Sequence, residues 1–187
     1  MIAALGLPMY AEAAESPDGD PPLLLEAAYT GEVWRNVSGG VRQDGTYLDN
    51  IDIIATLDAE RAWGWAGTTF VVSGLHNNRP TLSDRIVGDI QTVSNIDTDG
   101  ATRLYEAWVE RAFDAGAIKL GLIDLNSELD VNETGALFIN SSHGIGPDFS
   151  QVGENGPSIF PITGLGGVMR WDSERDSRFS SQSPLLI

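Results

Sequence analysis

Cysteine is absent from this chain of 187 residues. Disulfide bonds, thiolate metal sites and cysteine nucleophiles are therefore excluded together. Basic residues are scarce as well, with 11 Lys and Arg against 27 Asp and Glu and a formal net charge of -16. We expect no nucleic-acid partner, because neutralising phosphates needs clustered basic side chains. The same excess of negative charge disfavours attraction to an anionic lipid surface.

Long apolar runs are also missing. No run reaches the roughly 20 apolar residues of a membrane helix, so any membrane-spanning segment must be a β-strand. The short apolar run from Ile2 to Met9 is followed by Ala11-Glu12-Ala13, which has the small-x-small form of a signal-peptidase site. We interpret residues 1–14 as a partial secretion signal that lacks its basic start, and residues 15–23 as a linker. The alternative for the start is a flexible, Ala-rich terminus.

Groups that could support catalysis or metal binding are few. His76 and His143 are too isolated to suggest a metal site or a Ser/His pair. Glu106 and Glu110 could form an acid and base pair, but two Glu four residues apart on one strand face also describe a polar wall. The stretch from Asn95 to Glu106 has calcium-loop spacing, although Asn replaces the usual first Asp. We predict no catalysis, no cofactor and no metal, and an acidic loop that leads into a strand.

The sequence does contain clear alternation of period two. Between Tyr47 and Ala59 the apolar residues point to one side and the polar residues to the other, as in a strand with one apolar and one charged face. Ile118, Leu120 and Leu122 oppose Lys119 and Gly121 in the same way. Six strands are predicted, near residues 24–36, 46–59, 66–75, 103–113, 117–124 and 162–171.

The connections between these strands alternate in length along the chain. The turns after Ala59 and at residues 114–116 are short, whereas the connections at 37–45, 76–102 and 125–161 are long and polar. Short turns at one end and long loops at the other are typical of an outer-membrane barrel. A soluble β-sandwich has no reason to sort its loops in this way.

The tryptophans favour the same interpretation. Trp63, Trp65 and Trp171 fall at the short-turn end of the predicted strands, and Trp34 falls at the long-loop end. Outer-membrane barrels carry aromatic girdles at both membrane interfaces. The alternative is that these are core tryptophans of a soluble sheet.

The stretch from Asp124 to Pro161 is the longest connection. It is rich in Asn, Ser and Gly and shows no sustained helical or strand period, yet it contains apolar residues such as Leu137, Phe138 and Ile139. A loop this long in a compact fold is usually either functional or disordered, and its apolar content argues against disorder. We therefore predict an ordered polar loop that forms a ligand path or a pore constriction.

Several stretches resemble a known family, the carbohydrate-selective outer-membrane porins of the OprB type. These are Tyr29-Thr30-Gly31-Glu32-Val33-Trp34-Arg35-Asn36, Arg103-Leu104-Tyr105-Glu106-Ala107-Trp108, Gly121-Leu122-Ile123-Asp124-Leu125-Asn126-Ser127-Glu128, Asn140-Ser141-Ser142-His143-Gly144-Ile145-Gly146-Pro147 and Asn155-Gly156-Pro157-Ser158-Ile159-Phe160-Pro161. The resemblance runs in order from about Leu24 to Trp171, nearly the whole chain after the signal-like start.

The resemblance implies an all-β fold, an antiparallel transmembrane β-barrel of porin type. Six strands would be only part of a sixteen-stranded barrel, so we expect an N-terminal fragment spanning 24–171, followed by an atypical tail at 172–187. The implied function is passive, sugar-selective diffusion across the Gram-negative outer membrane. The expected partners are mono- and oligosaccharides and outer-membrane lipid, with a homo-oligomer as an option. The alternative is a secreted, soluble β-sheet carbohydrate-binding module.

Analogy with porins also predicts the site. In porins generally, the loop at the place of residues 124–161 folds into the barrel and narrows it. This would bring loop residues toward inward residues of the wall, where Trp108 could stack on a sugar. The loop set is Asn126, Glu128, Asp130, Asn140, His143 and Asp148, and the wall set is Glu106, Trp108, Glu110 and Lys119, with Asp52 and Asp58. The alternative role for each residue is to hold the loop in place or to solvate the lumen.

Overall fold

The computed structural model describes residues 2–11, 21–79, 82–132, 134–146, 158–171 and 185–186. Its strands are β1 Ile2–Ala11, β2 Leu23–Asn36, β3 Gly45–Asp58, β4 Thr68–Asn77, β5 Ala101–Phe113, β6 Gly116–Ile123, β7 Gly164–Trp171 and β8 Leu185–Leu186. Each strand pairs antiparallel with its neighbours in sequence, giving one open sheet in the order β1 to β8. The all-β, antiparallel fold predicted from the sequence is confirmed.

The six predicted strands correspond to β2 to β7, and their ends differ from the prediction by no more than two residues. The largest shift is at β4, which begins at Thr68 because the short helix α1, Ala59–Trp63, occupies the preceding turn. Asp58 caps this helix, its carboxylate accepting a hydrogen bond from Arg61 N at 3.0 Å. Gly64 ends the helix with a φ of 76°, a conformation that favours glycine.

The segment interpreted as a partial secretion signal is β1. It pairs with β2 from Ile2 opposite Asn36 to Ala11 opposite Ala27. The sequence analysis did not predict this strand, because a short apolar run fits an export signal and a barrel strand equally well. The signal interpretation itself stays a prediction. Of its proposed cleavage residues, Ala11 ends β1, whereas residues 12 and 13 lie outside the described residues, together with most of the linker and residues 172–184 of the tail.

The register separates two faces on β2 to β7. On the outer face, apolar residues of neighbouring strands stand opposite one another, for example Leu25 and Ala55, or Val109 and Leu120. Apolar side chains on this face are half or more exposed: Leu25, Ile53, Val72, Leu104, Leu120 and Leu165. Large apolar groups left open along a whole sheet face are suited to lipid rather than to water.

The height of this apolar face fits a membrane. On β2 it runs from Leu23 to Val33, which is about 33 Å at roughly 3.3 Å per residue. At a strand tilt near 40° this corresponds to about 25 Å, the height of the lipid-facing band of such barrels. Separately, no helix among the described residues is long and apolar enough to cross a membrane.

Aromatic side chains border the outer face at the short-turn end. Trp63 and Trp65 lie with ring centroids 5.4 Å apart, and Trp65 also contacts Phe70 at 6.3 Å. Phe113 and Trp171 form a second contact at 6.3 Å. These residues occupy the place of an interfacial aromatic girdle.

Trp34 does not belong to such a girdle, although its sequence position suggested it. Its side chain lies on the inner face, is 4% exposed, and donates a hydrogen bond to Glu32 Oε2 at 2.5 Å. The outer face toward the long loops carries two tyrosines instead, Tyr29 and Tyr47, whose hydroxyls meet over Gly31. Alternation within β2 explains the difference, because Trp34 shares the face of Glu32 and not that of Val33.

The inner face is covered by the long connections. Leu82 and Ile86 of the 78–100 connection pack on Trp34 of β2 and Leu48 of β3 in a small buried cluster. Asn36 supports this packing by donating from Nδ2 to backbone oxygens at 2.8 and 3.0 Å in the 37–44 turn. The 78–100 connection (the third loop) therefore folds over the inner face beside the connection of β6 to β7 (the long loop, residues 124–163), which the sequence analysis did not predict.

Candidate functional site

Four charged side chains meet on the inner face and form the ion cluster: Glu110 of β5, Lys119 of β6, Arg170 of β7 and Glu128 of the long loop. Lys119 Nζ contacts Glu128 Oε1 directly and lies 3.8 Å from Glu110 Oε2. Arg170 reaches the same two carboxylates, with Nη1 2.7 Å from Glu128 Oε2 and Nη2 against Glu110. The cluster balances two positive and two negative charges, and it binds the loop to three neighbouring strands.

Burial divides the ion cluster into two pairs. The side chains of Glu128 and Lys119 are 6% and 9% exposed, whereas those of Glu110 and Arg170 are 21% and 30% exposed. Charged groups this deeply buried are held only when their partners are in place, because desolvation opposes the ionised state. Glu128 and Lys119 therefore fix the loop to the wall, while Glu110 and Arg170 retain access to solvent.

Trp108 lies directly beside the cluster. Lys119 Nζ sits over its ring, 3.9 Å from the centroid, in a cation–π contact. Its indole Nε1 is buried and has no hydrogen-bond partner among the described residues. The ring face under Lys119 is therefore closed to a sugar, and the expected stacking would have to use the rest of the ring.

Gly121 makes room for this arrangement. It pairs with Trp108 across β5 and β6, and a Cβ added to it would lie 2.6 Å from Trp108 Cα. Its φ of 146° also disfavours any other residue. The sequence marked Gly121 only as one position of an alternating strand.

The stem of the long loop, residues 124–130, is bound to β5. Asp124 N donates to Glu106 Oε1 at 3.1 Å, and Tyr105 Oη donates to Asp124 Oδ2 at 2.5 Å. Tyr105 can do this because the pairing of β4 and β5 shifts register beside it, which leaves it as the extra residue of a bulge. Asp124 then accepts from Asn126 N at 2.9 Å and shapes the first turn.

The remaining stem residues of the predicted set, Asn126 and Asp130, form hydrogen bonds within the loop. Asn126 Nδ2 donates to Leu129 O at 3.1 Å. Asp130 has a φ of 56°, and its carboxylate accepts from Gly146 N at 2.6 Å, which closes the loop across sixteen residues. Both side chains are thus engaged in holding the loop shape.

The tip of the long loop, residues 137–143, contacts the third loop rather than the ion cluster. Thr92 Oγ1 and Ser141 Oγ are 2.6 Å apart, and Asn95 N donates to Ile139 O at 2.7 Å. His143 belongs to this tip and stacks on Phe138 with centroids 4.5 Å apart. Asn140, in the same turn, accepts from His143 N at 3.1 Å.

The predicted site residues therefore fall into separate groups. Glu106, Trp108, Glu110, Lys119 and Glu128 come together on the inner face, whereas Asn140 and His143 lie at the tip. Asp148 lies outside the described residues. Among the additional wall residues, Asp52 is on the inner face and accepts from Asn50, but Asp58 caps α1 at the short-turn end.

Arg170 is the member of the ion cluster that the sequence analysis missed. It shares the inner face of β7 with Gly164, Gly166 and Val168, so this strand shows no polar alternation. In the structure Arg170 pairs with Ala117, two residues from Lys119, so the register of β6 and β7 would have placed it near the cluster. Predicting that register requires the exact ends of both strands.

The calcium-loop alternative is not supported by the geometry. Asp97 accepts from Ser83 N and Oγ at 2.9 and 2.6 Å, while Asn95 Nδ2 donates to Phe138 O. Glu106 belongs to β5, so the segment after Gly100 is a strand and not a helix. Among the described residues no group of acidic and histidine side chains is arranged to hold a metal.

The third loop also encloses a polar cleft of about 340 Å³. Arginine, aspartate and hydroxyl side chains line it, among them Arg79, Arg85, Asp97 and Thr92. Because Thr92 is bonded to the tip of the long loop, the cleft lies next to the contact between the two loops.

An antiparallel sheet with an apolar outer face, a charged inner face and long loops over that inner face defines a porin-type β-barrel channel. Residues 42–177 match the model of a family described as carbohydrate-selective porin, OprB family, and the chain belongs to this family. No curated protein and no solved structure matches the chain. The predicted family is thereby confirmed, and with it a β-barrel fold and a carbohydrate-selective channel. Porins of this family are generally not enzymes and typically lie in the Gram-negative outer membrane.

Proposed function

We propose that this protein lets sugars diffuse passively through the outer membrane, along the inner face of the sheet and past the stem of the 124–163 loop. The observation that carries the proposal is the ion cluster, which holds Glu128 of the loop against three strands of the inner face. A loop fixed at this place narrows the channel without closing it. No nucleotide, metal or cofactor is needed for such diffusion.

The two exposed members of the cluster are the proposed sugar contacts. Glu110 accepts hydrogen bonds from sugar hydroxyls, and Arg170 donates to them. Trp108 lies beside them and presents apolar ring surface of the kind that packs on a pyranose. Donor, acceptor and aromatic surface together distinguish a sugar from an ion of similar size.

The two buried members have a different proposed role. Lys119 and Glu128 position the loop and have little surface left for a ligand. The sequence left two roles open for each of these residues, sugar contact or holding the loop in place, and the second is the one proposed here. The polar cleft of the third loop is the proposed vestibule, since its side chains offer hydroxyl and charged groups next to the loop tip.

We also propose that further strands complete the barrel around this sheet, from a longer chain or from another copy. Open strand edges carry unpaired backbone groups, and hydrocarbon offers them no partner. The soluble-module alternative would instead leave the apolar outer face in water. The half-exposed leucines and isoleucine of that face disfavour it.

Liposome swelling with the protein assembled into a complete barrel, including the further strands, tests the proposal. Glucose and related sugars should enter faster than amino acids or salts of similar size. Arg170→Gln and Glu110→Gln should each reduce the preference for sugar, whereas Glu26→Gln, which changes a carboxylate near the short-turn end of β2, should not. Equal permeation of sugars and salts by the wild type would show a general porin, and sugar turnover into products would show an enzyme.

A further inference from the structure

Arg111 stands out on the outer face of β5. It pairs with Thr68 of β4 and Ile118 of β6, and its side chain is exposed. The other charged outward positions on β2 to β7, such as Arg35 and Asp49, lie toward the long loops. At the short-turn end, Arg111 is the only charged outward residue of these strands in the described part of the chain.

The level of Arg111 is set by the aromatic residues around it. Phe113 and Trp171 lie one outward position nearer the turn, and Phe70 lies on the neighbouring strand. Such aromatic side chains settle at the depth of lipid headgroups. A guanidinium at this depth reaches phosphate groups, while the apolar residues farther along β5 and β6 meet acyl chains.

The guanidinium of Arg111 is held by a hydrogen bond, but within the described part of the chain its charge is not neutralised by an ion pair. Arg111 Nη1 donates to Thr68 Oγ1 at 3.1 Å, and among the described residues no carboxylate forms an ion pair with it. A guanidinium has five N–H donors, so several stay open. They border a pocket of about 530 Å³ lined by Ala66, Gly67, Arg111, Ala112, Phe113 and Asp114. The nearby Glu60 carboxylate is held by Gly67 N at 2.8 Å.

We infer that this pocket binds the headgroup of a zwitterionic phospholipid of the ethanolamine type. The phosphate would contact Arg111, and the ammonium would contact Asp114, the one carboxylate that lines the pocket. An anionic lipid is disfavoured by Asp114 and by the net charge of -16. The inference rests on the proposed outer-membrane location, where the short-turn end faces the periplasmic, phospholipid leaflet.

Native mass spectrometry of the detergent-solubilised protein tests this site. Added phosphatidylethanolamine should bind the wild type more tightly than phosphatidylglycerol. Arg111→Gln should weaken phosphatidylethanolamine binding roughly tenfold, the scale of a lost charge-assisted hydrogen bond. Arg35→Gln removes an outward arginine at the opposite end and should leave it unchanged. Unaltered binding in Arg111→Gln, or equal affinity of the wild type for both lipids, would overturn the inference.

A second variant keeps the test independent of Arg111. Asp114→Lys, in an exposed turn, should reverse the preference toward phosphatidylglycerol, because two cations would then line the pocket. An unchanged preference would also overturn the inference. Sugar-driven liposome swelling should be the same in Arg111→Gln and wild type, since Arg111 faces away from the inner face. Failure of the channel would show as lost swelling in the wild type, with lipid binding intact.

Discussion

The two faces of the sheet differ in chemistry although they belong to the same strands. On β3 the outward residues Ile51 and Ile53 are exposed, whereas the inward residues Asn50 and Asp52 are hydrogen-bonded to each other. On β5 and β6 the contrast is sharper, because the inner face holds a buried ion pair. The side chains of the outer face thus need an apolar surrounding, whereas those of the inner face need specific hydrogen-bond and ion-pair partners.

This difference predicts which substitutions should be tolerated on each face. An outward residue can be exchanged for another apolar residue, because lipid acyl chains form no directional contacts with it. The buried members of the ion cluster, Lys119 and Glu128, cannot be exchanged alone without a loss of stability, because their partners would stay charged with too few counter-charges.

Removing the central cation of the inner face should have the largest effect. Lys119→Met keeps the length of the side chain but leaves Glu110 and Glu128 with Arg170 alone. We expect the free energy of unfolding in lipid vesicles to fall by about 3–5 kcal/mol, as for a broken buried ion pair. Chemical denaturation followed by tryptophan fluorescence measures this.

The matched control is Arg61→Met, which breaks the exposed pair of Arg61 with Asp58 at 3.2 Å. Exposed pairs contribute about 0–1 kcal/mol, so stability should hardly change. If Lys119→Met were as harmless as this control, the ion cluster would not hold the loop.

Charging the outer face should have the next largest effect. Ile53 lies midway along the apolar band, opposite Ala27 and Gly74. Ile53→Lys should cost about 2–4 kcal/mol of stability in vesicles, the cost of a cation at the bilayer midplane. Thr56→Lys, on the inner face of the same strand, should cost far less, since water reaches the lumen. Equal losses would mean that the faces do not differ in solvent.

Separating the two loops should have the smallest effect on stability. Ser141→Ala removes the hydroxyl that lies 2.6 Å from Thr92 Oγ1 and donates to Thr92 O at 3.1 Å. We expect a loss of about 1 kcal/mol, with faster amide exchange at Asn95 and Ser141. Ser127→Ala, which removes a hydroxyl bond within the stem, should speed exchange only in the stem. Unchanged exchange at Asn95 would show that the loops move independently.

The strands were predictable because alternation is a local property of the sequence. A shared face for Glu106, Glu110 and Lys119 was predicted from their spacing, and in the structure their side chains lie on the face that the loop stem contacts. The partners of these residues were not predictable, since Glu128 and Arg170 reach them from elements far apart in sequence. The bulge at Tyr105 was not predicted either. It moves the outward positions of β5 from even numbers (Leu104) to odd numbers (Ala107), and this single change of phase is hard to recognise in a strand with irregular alternation.

The third loop shows a similar limit. Its apolar residues Leu82 and Ile86 carry no strand period, and nothing local indicates that they cover Trp34 and Leu48. The sequence therefore assigned the whole constriction to the 124–161 stretch. Only the packing of Leu82 and Ile86 against residues of β2 and β3 shows that two loops share the inner face.

Cysteine labelling on β3 tests the central contrast most directly, since the chain has no cysteine of its own. Ile53→Cys and Thr56→Cys would be compared in the protein assembled in outer membranes, with a lipid-soluble and a water-soluble thiol reagent. We expect the water-soluble reagent to label only the Thr56 variant and the lipid-soluble reagent to label the Ile53 variant. Ready labelling of Ile53→Cys by the water-soluble reagent would contradict a lipid-facing outer face and with it the channel.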